Sequence, residues 1–176
     1  MEMLRELTQL KQPYFHLIVG DKSKLQRYFL TYENANDGRT VVKQVDGSKC
    51  ATLDELFIEF ANAFEFPDYF GSNWAAFDEC LNDLDWLPGE AYLLLLSDID
   101  QVIKTSDNTF KTLVETLERS VSEWTEGRNY DGYPTPPTPF HVVFQCSNKK
   151  KDEVRKRFEV AGLRNINVLN ITEQKN

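Results

Sequence analysis

The chain has 176 residues, of which 41% are hydrophobic and 12% aromatic, and this composition is typical of one globular domain that buries a core. A net charge of −8 disfavours nucleic acid as a partner, because binding a phosphate backbone requires clustered Lys and Arg. No apolar run approaches the ~20 residues of a membrane-spanning helix, and Met1 to Gln12 lacks the apolar core of a secretory signal, so we expect a soluble, cytoplasmic protein that binds no membrane.

The charge is distributed unevenly along the sequence. Residues 51–103 contain twelve carboxylates and no Lys, Arg or His, so this segment alone carries −12 while the remainder sums to +4. A well-solvated acidic surface would explain such a stretch. The alternative is a surface that binds a basic partner.

In the first third of the chain, apolar residues alternate with polar ones. The pattern predicts strands at 14–19, 25–32 and 40–45. Residues 33–39 are rich in Asn, Asp and Gly and predict a turn, which would join the second and third strands as a hairpin.

Two helices are predicted next, inside the cation-free segment. Thr52 is followed three residues later by Glu55, the pattern of a capping box, and apolar residues from Leu53 to Phe64 recur at helical spacing. Residues 68–73 form a loop, and Ser72 or Asn73 can cap a second helix that runs from residue 74 to about 84.

The middle of the chain continues with one strand and one long helix. The continuous apolar run at 92–96 is typical of a central strand in a parallel sheet, and the apolar stripe from Phe110 to Trp124 predicts a helix. The Pro-rich residues 133–139 predict an extended loop before a strand at 140–145.

The last part repeats the pattern of helix and strand. Asn148 is a possible cap for a basic helix that ends at Gly162, and residues 166–171 predict a final strand. Strands that alternate with helices indicate an α/β fold.

Catalytic and metal-binding patterns are not found in the sequence. It has no Gly-rich phosphate loop, no nucleophile elbow and no H-E-x-x-H motif, and His16 and His141 lie in apolar strands where we expect them to be packed. Asp78 and Glu79 are adjacent, so on a helix they diverge by about 100°, which does not suit a metal site or an acid–base pair. We expect a binding protein rather than an enzyme, with no cofactor and no metal.

The cysteines support the same expectation. Cys50, Cys80 and Cys146 are odd in number and widely spaced, which argues against a disulfide framework and against a zinc site. We therefore expect three reduced, buried thiols.

Residues 66–81 read Phe-Pro-Asp-Tyr-Phe-Gly-Ser-Asn-Trp-Ala-Ala-Phe-Asp-Glu-Cys-Leu and closely resemble the signature of barstar-like proteins, the intracellular inhibitors of barnase-type ribonucleases. With Asp46-Gly47, Leu56 and Pro67 in matching positions, the resemblance covers roughly residues 40 to 146. It implies an α/β fold with a small three-stranded parallel sheet flanked by helices. Residues 1–39 would then add strands at the N-terminus, and residues 147–176 a helix–strand unit packed on the same domain.

The resemblance also implies a binding surface, an acidic loop and helix that occupy the cation-rich active site of a ribonuclease. Tyr69 matches an aromatic residue that covers the enzyme's active site, and Gly71 and Asn73 match loop contacts. Trp74 matches an apolar contact and Glu79 the central acidic anchor. The residues also have plainer roles open to them, with Tyr69 as a loop anchor, Trp74 as core and Asn73 as a helix cap only.

Some positions depart from the family's best-known pattern. Ala75 stands where a second carboxylate is found, Asp78 replaces an aromatic residue, and Glu79 is one methylene longer than the Asp it replaces. Asp78, Asp83 or Asp85 could restore the charge missing at Ala75, although Asp78 points to a different side of the helix. The family also uses an acid on its later helix, for which Glu115 and Glu118 are the candidates.

Three hypotheses follow from the sequence. The first is an intracellular inhibitor, of the immunity or antitoxin type, that binds a basic ribonuclease or a similar basic toxin protein one-to-one. The second is a barstar-like module that scaffolds or regulates another basic partner. The third is an enzyme that depends on the acidic cluster, which a metal titration would exclude.

Overall fold

A computed structural model describes residues 5–35, 38–130 and 132–170. In chain order its elements are β1 (Phe15–Val19), α1 (Lys22–Ala35), β2 (Thr40–Asp46), α2 (Leu53–Phe64), α3 (Trp74–Asp83), β3 (Ala91–Ser97), α4 (Asp107–Glu126), β4 (Arg128–Tyr130), β5 (Tyr133–Thr135), β6 (Phe140–Cys146), α5 (Lys151–Ala161) and β7 (Ile166–Asn170). In the described part of the chain, no helix has both the length and the apolar character needed to cross a membrane.

Five parallel strands form one sheet in the order β2-β3-β6-β1-β7. The strands of residues 40–146 occupy the three adjacent positions β2, β3 and β6, so the predicted α/β fold with a three-stranded parallel core is confirmed. β1 pairs with the other side of β6, with Phe15 opposite Val142, and β7 pairs with the far side of β1. The terminal segments therefore extend the same sheet.

Helices cover both faces of this sheet. Leu94 and Leu96 of β3 point into a large core shared with α2, α3, α4 and α5, whereas Leu93 and Leu95 point into a smaller core beneath α1. Because both faces are covered, every residue of β3 and of β6 is buried. This explains the continuous apolar run from which the central strand was predicted.

The prediction of a strand at 25–32 is wrong, since these residues belong to α1. Leu25, Phe29 and Tyr32 recur at helical spacing and pack into the smaller core, and Asp21 Oδ1 accepts a hydrogen bond from the Lys24 amide at the start of the helix. The suggested hairpin is also wrong, because β2 pairs in parallel with β3. Within the described residues, the N-terminal segment therefore contributes one strand rather than several.

The predicted turn at 33–39 is only partly testable. Its first three residues continue α1 as far as Ala35, and residues 36–37 lie outside the described residues.

Two later predictions are also corrected. The Pro-rich segment does not begin as a loop, because Tyr133–Thr135 forms β5 and pairs antiparallel with β4. Asn148 does not cap the last helix, because residues 148–150 form a 3₁₀ turn and α5 follows with Lys150 at its N-cap and no side-chain cap. The final strand ends at Asn170, and residue 171 lies outside the described residues.

Charged side chains attach the terminal segments to the middle of the chain. Lys22 Nζ at the start of α1 lies 2.7 Å from an Asp46 carboxylate oxygen and 2.6 Å from one of Asp98. On the other face, Arg157 of α5 donates to the carbonyls of Val102, at 2.7 Å, and Ile103. The terminal segments are thus joined to the rest by directional contacts as well as by the shared sheet.

The three cysteines are free and buried, as expected. Burial raises the pKa of Cys50 and of Cys146 to about 12. These thiols are therefore protonated at neutral pH and pack as small apolar groups.

Candidate functional site

An aromatic cluster fixes the loop between α2 and α3. Phe70 packs edge-on against Phe57 and Phe66, with ring centroids 5.8 and 4.9 Å apart. Trp86 meets Phe66 edge-on as well and donates its indole N–H to the Phe64 carbonyl at 2.8 Å. These contacts anchor the loop to the core.

Asn73 begins α3, as one of the two predicted caps. Its Oδ1 accepts from the Ala76 amide at 2.9 Å, and its Nδ2 donates to the Gly71 carbonyl at 3.2 Å. Both ends of the side chain thus have partners within the chain.

Gly71 does not have the positive φ that favours glycine. The left-handed residue of this loop is Ser72, with a φ of 49°. A Cβ at Gly71 would lie 3.0 Å from Asn73 Nδ2, so the glycine leaves room for the capping amide.

Trp74 is half-buried at the first position of α3. Its ring meets Phe57 and Phe77 edge-on, with centroid distances of 5.2 and 5.6 Å. This packing matches the role of a core residue.

Tyr69 and the acidic side of α3 share one surface. The Tyr69 side chain is 67% exposed. Reduced hydration, and then the negative charge of Asp83 and its neighbours Glu79 and Asp85, raise the pKa of the Tyr69 phenol. Three of the predicted site residues, Tyr69, Glu79 and Asp83, therefore lie close together.

Asp78 and Glu79 point in different directions, as adjacent helical residues must. Asp78 Oδ1 lies 3.0 Å from Arg119 Nε of α4, so this carboxylate faces the neighbouring helix. Glu79 is exposed and has no ion pair among the described residues. Its charge is available to a cation from outside the chain.

The two acids suggested for the later helix differ in their surroundings. Glu115 is exposed and lies 3.6 Å from Lys111 on the same helix. Glu118 lines a different cleft beside Tyr14, and burial followed by the charge of Glu115 raises its pKa. A third acid of α4, Glu123, lines a cleft together with residues of α3, and sequence reasoning missed it.

An open cleft of about 710 Å³ lies between α3 and the β4–β5 hairpin. The indole N–H of Trp124 donates to the Leu81 carbonyl at 2.9 Å and fastens the end of α4 to the end of α3. Charged, polar and aromatic side chains line this cleft, among them Asp78, Glu79, Asn82, Asp83, Asp85, Glu123, Trp124, Arg128, Tyr130 and Tyr133.

The hairpin side of the cleft was also missed by sequence reasoning. Tyr130 and Tyr133 occupy paired positions on β4 and β5 and are 64% and 83% exposed. The sequence did contain a local signal, because Asp131-Gly132 is the type of dipeptide that favours two-residue hairpin turns. Gly132 has a φ of 80°, as such turns require.

The chemistry of this surface is that of an acceptor for N–H donors. Across residues 5–35, 38–130 and 132–170, no group of three or more His, Cys, Asp or Glu side chains is arranged to hold a metal ion. Burial raises the pKa of Cys80, so this thiol is a poor nucleophile. Carboxylates beside exposed aromatic rings suit a ligand that carries Lys or Arg side chains.

A sequence profile of the family described as "Barstar (barnase inhibitor)" matches residues 40–145. The match begins at β2 and stops one residue before the end of β6, so it includes the loop, α3, α4 and the hairpin. A search of curated proteins gave no match.

Solved structures resemble the chain in fold. The ORC2 protein of Aeropyrum pernix, solved in ADPNP–ADP complexes, has a TM-score of 0.57 and 11% identity over 89% of this chain and 41% of that chain. Drosophila ORC bound to DNA gives a TM-score of 0.55 and 13% identity over 98% and 29% of the two chains. CDC6P from Pyrobaculum aerophilum gives a TM-score of 0.50 and 14% identity over 91% and 41%.

The chain thus spans less than half of the length of these three structures. The Drosophila match covers 98% of this chain, which leaves too few unmatched residues to omit β1 or β7, and both strands lie outside the barstar profile. At such low identity the likeness concerns the fold alone.

Proposed function

The chain belongs to the barstar family, and on that premise we propose that it is an inhibitor of a basic ribonuclease, of the immunity or antitoxin type. It acts in the cytoplasm by binding one enzyme molecule without turnover. The loop at 68–73 and the acidic side of α3 cover the cationic active site of the enzyme.

The observation that carries this proposal is the state of Glu79. Its carboxylate is exposed, it has no cation of its own in the described part of the chain, and it stands on a helix whose first turn is capped by Asn73 and packed through Trp74. A fixed carboxylate can bind the Lys and Arg side chains that a ribonuclease uses to hold RNA phosphates. Tyr69 lies beside it as an exposed ring that can close over the enzyme.

A non-ribonuclease basic protein is the second candidate partner, and one observation favours it. Asp78 is turned toward Arg119, and Ala75 is exposed without a charge, so the row of acids along α3 is differently arranged from the family's best-known pattern. A different arrangement of carboxylates favours a partner whose cations are differently arranged from those of a barnase-type ribonuclease.

The test begins with partner capture from a lysate of cells that carry this chain. We expect the immobilised wild-type protein to retain a basic enzyme that cleaves RNA after its release. The constant for inhibition of this enzyme should be about 30-fold higher, or more, for the Glu79→Gln variant than for the wild-type protein. Losing one member of a close charge pair at an interface costs a few kcal/mol.

Glu159→Gln is the matched control, because it makes the same change at an exposed position on α5. This control should inhibit as well as the wild type. Equal inhibition by the Glu79→Gln protein would remove Glu79 as the anchor. Capture of a basic protein without ribonuclease activity, dependent on Glu79, would replace the ribonuclease proposal by the second candidate.

A further inference from the structure

Three carboxylates in the cleft between α3 and the hairpin form no close ion pair within the described residues, although the charge of Arg128 acts on Asp83 from farther away. These are Glu79, Asp83 and Asp85; the cleft's other two acids, Asp78 and Glu123, are each paired with an arginine of this chain. Burial and then the charge of Asp85 raise the pKa of Asp83, as expected where carboxylates crowd together. The cleft therefore favours an incoming positive charge.

Asn82 supplies an observation that is independent of these charges. It lies on α3 at the wall of the cleft, is only 9% exposed, and its Oδ1 has no hydrogen-bond partner among the described residues. Buried polar atoms are almost always paired, so an unpaired acceptor in a wall is a position where an N–H donor would be stabilised.

The opposite wall is aromatic. Tyr130 and Tyr133 project from the hairpin with most of their surfaces exposed. The same wall already holds one guanidinium, because the Arg128 group lies 4.6 Å from the Trp124 ring centroid and 6.0 Å from that of Tyr130. Rings and carboxylates together suit a flat cation.

We propose that this cleft binds one arginine side chain of the partner protein. The guanidinium would donate to Asn82 Oδ1 and to the carboxylates of Asp83 and Asp85, with the Tyr133 ring against its face. Arginine fits better than lysine, since its planar fork of N–H groups can reach several acceptors and stack on a ring at once. This inference rests on the proposed function, because it specifies how a basic partner is recognised.

The cleft would give the barstar surface a second point of attachment. Tyr69 lies near the cleft residues Glu79 and Asp83, and the cleft extends this surface past the end of α3 to the hairpin. A partner that bridges both regions must place an arginine at a fixed distance from the group that meets the loop. Specificity among basic partners would then follow from geometry as well as from charge.

The probe is the tripeptide acetyl-Gly-Arg-Gly-amide, with lysine and citrulline versions for comparison. Nuclear magnetic resonance titration of the ¹⁵N-labelled full chain should show saturable shifts at the Asn82 side-chain amide and at the backbone amides of residues 128–130 and 132–133. Citrulline keeps the shape of arginine without its charge, so its peptide should cause no saturable shift.

Two tyrosine variants test the aromatic wall. Tyr133→Ala should weaken binding of the arginine peptide about two- to fivefold, which is the size of a cation–π contact at an exposed site. Tyr28→Ala is the matched control, because it removes an exposed tyrosine from α1 on the other face of the sheet, and it should leave binding unchanged.

Four results would each overturn the inference: no saturable shift, shifts that avoid the cleft, equal binding of the citrulline or lysine peptide, or full binding by Tyr133→Ala. Ribonuclease inhibition is measured with the same proteins. Inhibition without arginine binding in the cleft would defeat this inference alone. Arginine binding without any ribonuclease partner would defeat the proposed function and leave the cleft as the recognition site of another basic protein.

Discussion

His16 and His141 form a buried pair between neighbouring strands. His141 Nε2 lies 2.8 Å from the Gln9 carbonyl, which can only accept, so this nitrogen carries the proton. His141 Nδ1 then accepts from His16 Nε2 at 3.0 Å. His141 must be neutral for this arrangement, because its Nδ1 accepts. The expectation that both histidines are packed residues is confirmed by their burial.

The pair predicts a loss of stability in mild acid. Burial and then His141 lower the pKa of His16 from 6.5 to about 4. The unfolded chain takes up this proton near pH 6.5 while the folded chain does not, so the stabilisation is complete above that pH and declines toward pH 4. When the pH falls from 7 to 5, we expect the protonation of His16 in the unfolded chain to reduce the free energy of unfolding by about 2 kcal/mol.

Urea denaturation at both pH values measures this effect. Other groups also titrate in this range, so the comparison is between the wild type and His16→Gln. The variant should show a smaller difference between pH 7 and pH 5. An unchanged difference would show that His16 does not resist protonation in the folded protein.

At the scale of elements, the Asn73 cap of α3 contributes to the stability of the fold. Asn73→Ala removes the bond to the Ala76 amide and should lower the free energy of unfolding by about 1 kcal/mol. Asn73→Asp keeps an oxygen acceptor and should retain most of the stability. Thermal or urea unfolding of both variants tests this, and equal loss in the two would mean that capping is not what Asn73 contributes.

Helix α2 could be predicted because its start is encoded locally. The Thr52 hydroxyl accepts from the Glu55 amide at 3.3 Å, and the Glu55 carboxylate accepts from the Thr52 amide at 2.9 Å. Both halves of this capping box are only three residues apart, so they can be recognised in the sequence alone.

Helix α1 could not be assigned from so short a pattern. Leu25, Phe29 and Tyr32 fit a helical face, but the polar and apolar residues between them also fit an alternating strand. The helix is favoured because Leu25 and Phe29 pack into the smaller core beneath the sheet. That core is formed with residues far away in the sequence, so the local pattern does not reveal it.

The candidate site likewise has one part that could be predicted from the sequence and one part that could not. The loop and α3 could be located from contiguous residues, including Tyr69 and Glu79. The cleft could not, because Asn82, Glu123 and Tyr133 come together only when Trp124 packs over the end of α3. No local spacing relates these residues.

At the scale of the whole molecule, the charge changes sharply along the sequence, but the sheet has no boundary at the same positions. The segment 51–103 carries −12 and the remainder +4, although both contribute strands to one continuous sheet. Such a distribution gives the protein a strongly negative region, which would attract the basic partner that we propose.

This polarity predicts how association depends on salt. We expect the association rate constant with the captured partner to fall at least about tenfold between low ionic strength and 0.5 M salt, because screening removes the long-range attraction. The dissociation rate constant should change much less. Stopped-flow mixing over a range of salt concentrations measures both, and an association rate that does not respond to salt would contradict a charge-steered encounter.

The position of β1 has a consequence for the order in which the molecule can assemble. His16 and His141 are 125 residues apart, and both strand partners of β1 come from the last quarter of the chain. At typical rates of translation, the nascent strand waits on the order of ten seconds before its first partner is made. During that time the apolar residues of β1 have no neighbouring strand. The nascent chain is therefore exposed to aggregation through β1 until β6 leaves the ribosome.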